Sequence, residues 1–246
     1  MQFWGTVTVP YPSAQGTAEV VYTRALKPDG RVVQTPQENV IDMPTQITQE
    51  APFYSDLKAL RITVRGLEIG DTLEYQCRQH ITKATAPGQF WYAYNFFESG
   101  IALDEQLQIS VPHERYVKSV SPKVQPAISE QGPYRVYTWK TAHLQTKSDE
   151  KNAPTPDPED VHPSVQITSF RSWDEIGMWF QSLFEPQIAV TPEIQAKADE
   201  LSHGAKTDAE KIQAIYNFVS KFRYVGNAFG IGRYQPHAAP DVLTND

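Results

Sequence analysis

One thiol, six imidazoles, a serine–lysine spacing and a run of aromatic rings are the groups in this chain whose types could carry chemistry. Cys77 is the single cysteine, and a thiol works as a nucleophile only once something nearby favours its thiolate. In "GDTLEYQCRQHITK" the residues Leu73, Tyr75 and Cys77 share one strand face, while Glu74, Gln76 and Arg78 share the other. That pattern makes Cys77 a structural residue on an apolar face. The histidines are His80, His113, His143, His162, His203 and His237, and no two are three to five residues apart. A local zinc motif is therefore absent, and no metal site is assigned. Ser55-Asp56-Leu57-Lys58 is an S-x-x-K match, with neither S-D-N nor K-T-G to complete a β-lactamase-type set. Its plain reading is that Ser55 starts a turn or a single helical turn. The carboxylate pairs Asp104/Glu105 and Glu159/Asp160 are adjacent in sequence, so on a strand they would point to opposite faces and could not share one bond as acid and base. "GNAFGIG" does not fit a dinucleotide fingerprint, and no cofactor is called for. In Phe90, Trp91, Tyr92, Tyr94, Phe96 and Phe97, alternation predicts half core and half surface. Trp91, Tyr92 and Tyr94 are the candidate surface for a carbohydrate or peptide.

The elements that must position these groups change in period along the chain. From Val20 to about Lys140 the pattern is mostly period two. "VVYTRALKPDGRVV" reads as two strands around a turn at Pro28-Asp29-Gly30. "FWYAYNFFES", "LDEQLQISVP", "YVKSVSP" and "YRVYTWK" add further short strands. Residues 1–145 thus predict an antiparallel, sandwich-like β domain. "TKSDEKNAPTPDPEDVHP", residues 146–163, is too polar and proline-rich to bury much apolar area and reads as an exposed linker. Beyond it, residues 164–246 turn helical. Ser172 with Glu175 and Thr207 with Glu210 stand at capping-box spacing, and Thr191-Pro192 opens a further helix that Gly204 ends. In the last of these helices Ile212, Ile215, Tyr216, Val219 and Phe222 form an apolar stripe. The stripe is expected to be covered by the β domain or by a second copy of the chain, as a homodimer. The overall expectation is an α+β chain without internal repeats.

Composition narrows the function classes. The 246 residues are 40% hydrophobic and 21% charged, which is globular material. The net charge of −7, with lysine and arginine scattered, offers nothing to a phosphate backbone, so nucleic acid is not an expected partner. No apolar run is long enough for a membrane span, and "MQFWGTVTVPYPSAQG" lacks the basic and apolar regions of a signal peptide. A soluble protein is expected.

Two stretches carry a resemblance. "ALKPDGRVVQTPQENVIDMP…APFYSDLKALRITVRGLEIGDTLEYQ…APGQFWYAYNFF" resembles the uncharacterised β-rich domain that precedes a transglutaminase-like core in bacterial proteins. "AEKIQAIYNFVSKFRYVGNAFGIGRYQPHAAPDVLTND" resembles the first part of that core, which is of the cysteine-protease-like kind. The resemblance implies a Gly-Asp-Cys-Lys-Asp motif following this segment, with the cysteine at a helix start, where the helix and an imidazole lower its pKa. It implies thiol-dependent acyl transfer or hydrolysis of an amide in a protein or peptide, in a periplasmic or other extracytoplasmic setting. The expectation is a fragment that stops before the nucleophile, so no catalytic residue is assigned within it. Tyr234, Gln235 and His237 would line or brace the cleft. Two other readings stay open: a carbohydrate- or peptide-binding module, and an independent hydrolase with Ser55/Lys58 or distant carboxylates.

Overall fold

The computed structural model describes residues 5–50, 55–145, 163–222 and 234–245. The linker up to 162 and residues 223–233, which include "GNAFGIG", fall outside them. The chain divides into two compact units, residues 86–177 and residues 1–85 together with 178–246. The mixed α+β class with antiparallel sheets is as the sequence implies.

Residues 5–85 contain six strands: β1 Thr6–Pro12, β2 Gly16–Leu26, β3 Val32–Gln34, β4 Val40–Pro44, β5 Leu57–Thr63 and β6 Thr72–Ile81, with a short helix α1 Gln46–Glu50. They form two three-stranded antiparallel sheets, β1-β5-β4 and β3-β2-β6. Alternation places Val7 and Val9, opposite Ile62 and Leu60, on one face of the first sheet. Val20 and its cross-strand partner Cys77 lie on one face of the second. These faces meet in a core of Tyr11, Val20, Leu60 and Ile62, with Val40 and Cys77 packed against it. The β2–β3 turn is the expected one, with Gly30 at φ 86°.

Beside this core, the Lys27 ammonium donates to the Gly66 carbonyl and to Glu68 and Asp71, each carboxylate 2.8 Å away. The Lys27 and Asp71 side chains are only 9% and 2% exposed. The lysine holds the Asp71 carboxyl below the usual carboxylate range, and Asp71 and Glu68 push Lys27 up. A native carboxyl with a lowered pKa contributes stability that is complete above the unfolded value, roughly pH 4, and lost as pH falls through the lower native value. Asp71→Asn should therefore flatten the acid limb of a plot of urea midpoint against pH. An acid limb identical to wild type would contradict this.

Residues 86–177 hold a second sandwich where the sequence reading had one. Its strands are β7 Trp91–Tyr94, β8 Ala102–Pro112, β9 Lys118–Val120, β10 Ala127–Gln131, β11 Tyr134–His143 and β12 Val165–Thr168. They form the sheets β10-β11-β8 and β7-β12-β9. The division between the two units falls within "TKATAPGQ", between Thr85 and Ala86, with Gly88 at φ 69°. The second core comprises Phe96, Val111, Tyr137, Trp139, Val165 and Ile167. β12 is a strand where the sequence reading turned helical. Val165 and Ile167, 0% and 2% exposed, supply the alternation, but four residues are too few to stand out as a period.

The remaining helices are α2 Trp173–Phe184, α3 Pro192–Leu201, α4 Asp208–Val219 and α5 Ala239–Asn245. Their starts follow the capping signals. The Glu175 amide donates to Ser172 Oγ, the Ile194 amide to Thr191 Oγ1, and Thr207 and Glu210 complete a reciprocal box. Within a single chain the α4 stripe is only partly covered. Ile212, Tyr216 and Val219 are 67%, 65% and 50% exposed, whereas Ile215, Phe218 and Phe222 are half-buried. The helix packs with α3, and Phe218 makes an edge contact with Phe222 at 5.0 Å. A stripe five residues wide spans more of a helix than one neighbour covers.

Candidate functional site

Ser55, Lys58 and Glu105, three of the polar groups singled out from the sequence, are each hydrogen-bonded to another residue. Ser55 is 2% exposed, its hydroxyl bonded to Thr48 Oγ1 at 2.7 Å and accepting from the Leu57 amide at 3.3 Å. Lys58 instead donates to Asp42 at 3.1 Å. That bond raises the pKa of Lys58, the opposite of what a serine-activating base requires. The Tyr11 hydroxyl donates to both Asp42 oxygens at 3.0 Å, and burial followed by that carboxylate raises its pKa, so it stays a phenol. Cys77 is half-buried, and burial pushes its thiol up, away from thiolate. Glu105 accepts from the Tyr94 hydroxyl at 2.7 Å and the Phe97 amide at 2.9 Å. Asp104, its neighbour, points to the other face of β8 and is exposed. Among the described residues no group of three or more His, Cys, Asp or Glu could hold a metal ion.

The aromatic run divides by strand parity. Tyr94 stands opposite Val165 and packs edge-on to Phe96 at 5.3 Å on the core side of its sheet. Its hydrogen bond to Glu105, aided by burial, raises its pKa to about 12. Tyr92 shares that parity but is 47% exposed at the end of the strand. Trp91, opposite Thr168, is on the other face, 6.0 Å from the Phe170 ring and 41% exposed. Trp91, Tyr92 and Tyr94 therefore do not form one platform on which a flat ligand could lie.

The helices supply the remaining candidates. Tyr234 meets Trp179 of α2 edge-on at 5.6 Å, an interplanar angle of 78°, and so fixes the chain as it approaches α5. Gln235 and His237 follow, both exposed. Between α3, α4 and α5 lies an open groove of about 440 Å³, lined by Glu193, Ala196, Lys197, Glu200, Phe218 and Leu243. The Lys197 ammonium is 3.0 Å from both Glu200 oxygens and 5.1 Å from the centre of the Phe218 ring. Glu193 is held below the usual carboxylate range by its own backbone amide and by the Thr191 hydroxyl. This lining combines an apolar ring with charged side chains, and it contains no thiol or hydroxyl. Sequence reasoning missed the groove because α3, α4 and α5 each contribute only one to four of its residues. The one local signal is the Lys197/Glu200 spacing on α3.

No helix among the described residues is long and apolar enough to cross a membrane. No curated protein matches the chain. Among solved structures the chain is similar to a "putative protease" from Parabacteroides distasonis ATCC 8503, with a TM-score of 0.75 and 17% identity. The likeness covers 98% of this chain and 47% of that one, so the chain spans about half of that protein's length. At this identity the likeness is one of fold. Residues 1–147 match the model of a family described as a domain of unknown function with a solved structure, DUF3857. That match takes in both sheets of the first sandwich and all of the second but β12, and on it the chain belongs to the DUF3857 family.

Proposed function

We propose that this chain supplies the β-rich domain and the opening helices of a thiol-dependent amide hydrolase or acyl transferase of the transglutaminase-like kind, acting on a protein or peptide outside the cytoplasm. The observation that carries the reading is the fold likeness of nearly the whole chain to half of a longer bacterial protein described as a "putative protease". The resemblance of the α4–α5 segment to the start of a transglutaminase-like core supports it. In such a reaction a cysteine thiolate adds to the amide carbonyl. The amine leaves with a proton, and water or a second amine then takes the acyl group from the thioester. The share of these 246 residues is positional. Trp179 and Tyr234 anchor the approach to α5, and Tyr234, Gln235 and His237 are assigned to the cleft wall. Cys77, half-buried in a strand, takes no part.

The test uses the full-length protein encoded by the gene, assayed for amine release from a peptide amide with and without a thiol-alkylating reagent. Turnover should be lost on alkylation and kept in Cys77→Ala, which should cost only ~1 kcal/mol of stability. The 246-residue chain should have no turnover. Turnover that resists alkylation, or that disappears with Cys77→Ala in a folded protein, overturns the proposal.

A further inference from the structure

β6 is a ten-residue strand that pairs with β2 along one edge only. Along its other edge no strand is paired among the described residues, and most of its side chains are exposed. An unpaired edge presents a row of backbone donors and acceptors to any extended partner, and natural sheets usually block it with proline, lysine or an inward charge. β6 has none of these, since its core-side residues are Leu73, Tyr75, Cys77, Gln79 and Ile81.

The outer side carries Glu74 and Arg78, opposite charges placed symmetrically about Gln76. Glu74 is paired with Arg24 and Arg78 with Glu19, both at 2.6 Å and both within the same sheet. We propose that β6 pairs antiparallel with β6 of a second copy of this chain about a two-fold axis at Gln76. In that register Glu74 of each copy faces Arg78 of the other, twice, and no like charges stand opposite one another. Tyr75, which is 50% exposed, then covers Cys77 of the other copy. Two three-stranded sheets become one of six strands, and the isologous contact closes at two copies. β8, the other long edge, carries Asp104 and Glu105 without any basic residue, so it offers no comparable self-complementarity.

Charge substitutions test the register on the whole chain. Sedimentation velocity over a concentration series should show a dimer for wild type. Glu74→Arg sets arginine against arginine at both contacts, and Arg78→Glu sets glutamate against glutamate. Each alone should raise the dissociation constant about tenfold or more, because like charges directly across a ladder destabilise it. An equimolar mixture of the two variants should dimerise again, since every arginine then faces a glutamate. That restoration also separates a lost contact from a misfolded variant. As an independent measurement, Gln76→Cys in a Cys77→Ala background should form a disulfide-linked dimer on mild oxidation, whereas Ser110→Cys on β8 in that background should not. A monomeric wild type, variants that dimerise unchanged, a mixture that stays monomeric, or no cross-link at position 76 would each overturn the proposal.

Discussion

Trp139→Ala should lower the stability of residues 86–177 by about 3–5 kcal/mol, the range for truncating a large buried aromatic. Trp139 is 0% exposed on β11, opposite Leu107, with its ring stacked on Tyr137 at 6.1 Å. Its indole N–H donates to Ser121 Oγ at 3.0 Å, and Ser121 is itself buried. Truncation thus removes contact area from a core whose other members come from both sheets, and it also leaves a buried hydroxyl without its donor. Trp139→Phe separates the two losses. It keeps most of the ring and gives up the hydrogen bond, so its cost should be smaller, about 1–3 kcal/mol. Urea denaturation followed by far-UV circular dichroism, with hydrogen exchange to assign the loss to β8, β11 and β12, measures both. Equal costs for the two variants would mean that the hydrogen bond, and not the packing, dominates.

Gly16→Ala should be the most damaging small change in residues 5–85. Gly16 opens β2 opposite Ile81, and a Cβ placed on it would overlap the His80 carbonyl oxygen. That obstacle is backbone, so no rotamer change relieves it. The corner is also pinned by the Gln15 carbonyl, which accepts from the Thr82 and Lys83 amides at 2.9 and 3.1 Å. The strands must part locally, which by analogy with overpacked cores costs about 1–3 kcal/mol or more. Gly30→Ala is the comparison. Nothing lies within 4 Å of its Cβ, and only the positive φ opposes it, so its cost should stay near 1 kcal/mol. Hydrogen exchange of the Thr82 and Lys83 amides should accelerate in Gly16→Ala and remain unchanged in Gly30→Ala.

The parts of this fold legible in the sequence are those fixed by neighbours a few residues away. Pro28-Asp29-Gly30 gives its turn, Thr207 and Glu210 give the start of α4, and the face shared by Leu73, Tyr75 and Cys77 follows from period two. The parts that were not legible depend on partners distant in sequence. Nothing near Val165 says that it pairs opposite Tyr94, 71 positions earlier in the chain. Which residues of α4 are covered depends on the neighbouring helices, such as α3, whose Lys197 lies over Phe218, and the pattern of α4 cannot contain that. At the candidate site, the commitments of Ser55, Lys58 and Glu105 come from Thr48, Asp42 and Tyr94, none of which is adjacent in sequence.

β12 lies between β7 and β9, although it is the last of the three to leave the ribosome. Until it arrives the two outer strands have no shared neighbour, and the core lacks Val165 and Ile167. The second sandwich therefore closes late in synthesis and by long-range contacts, which makes it slow to fold relative to its size. A chain ending at residue 147 would contain every position of the family match, yet it would hold β7 and β9 apart, each with an open edge available for aggregation.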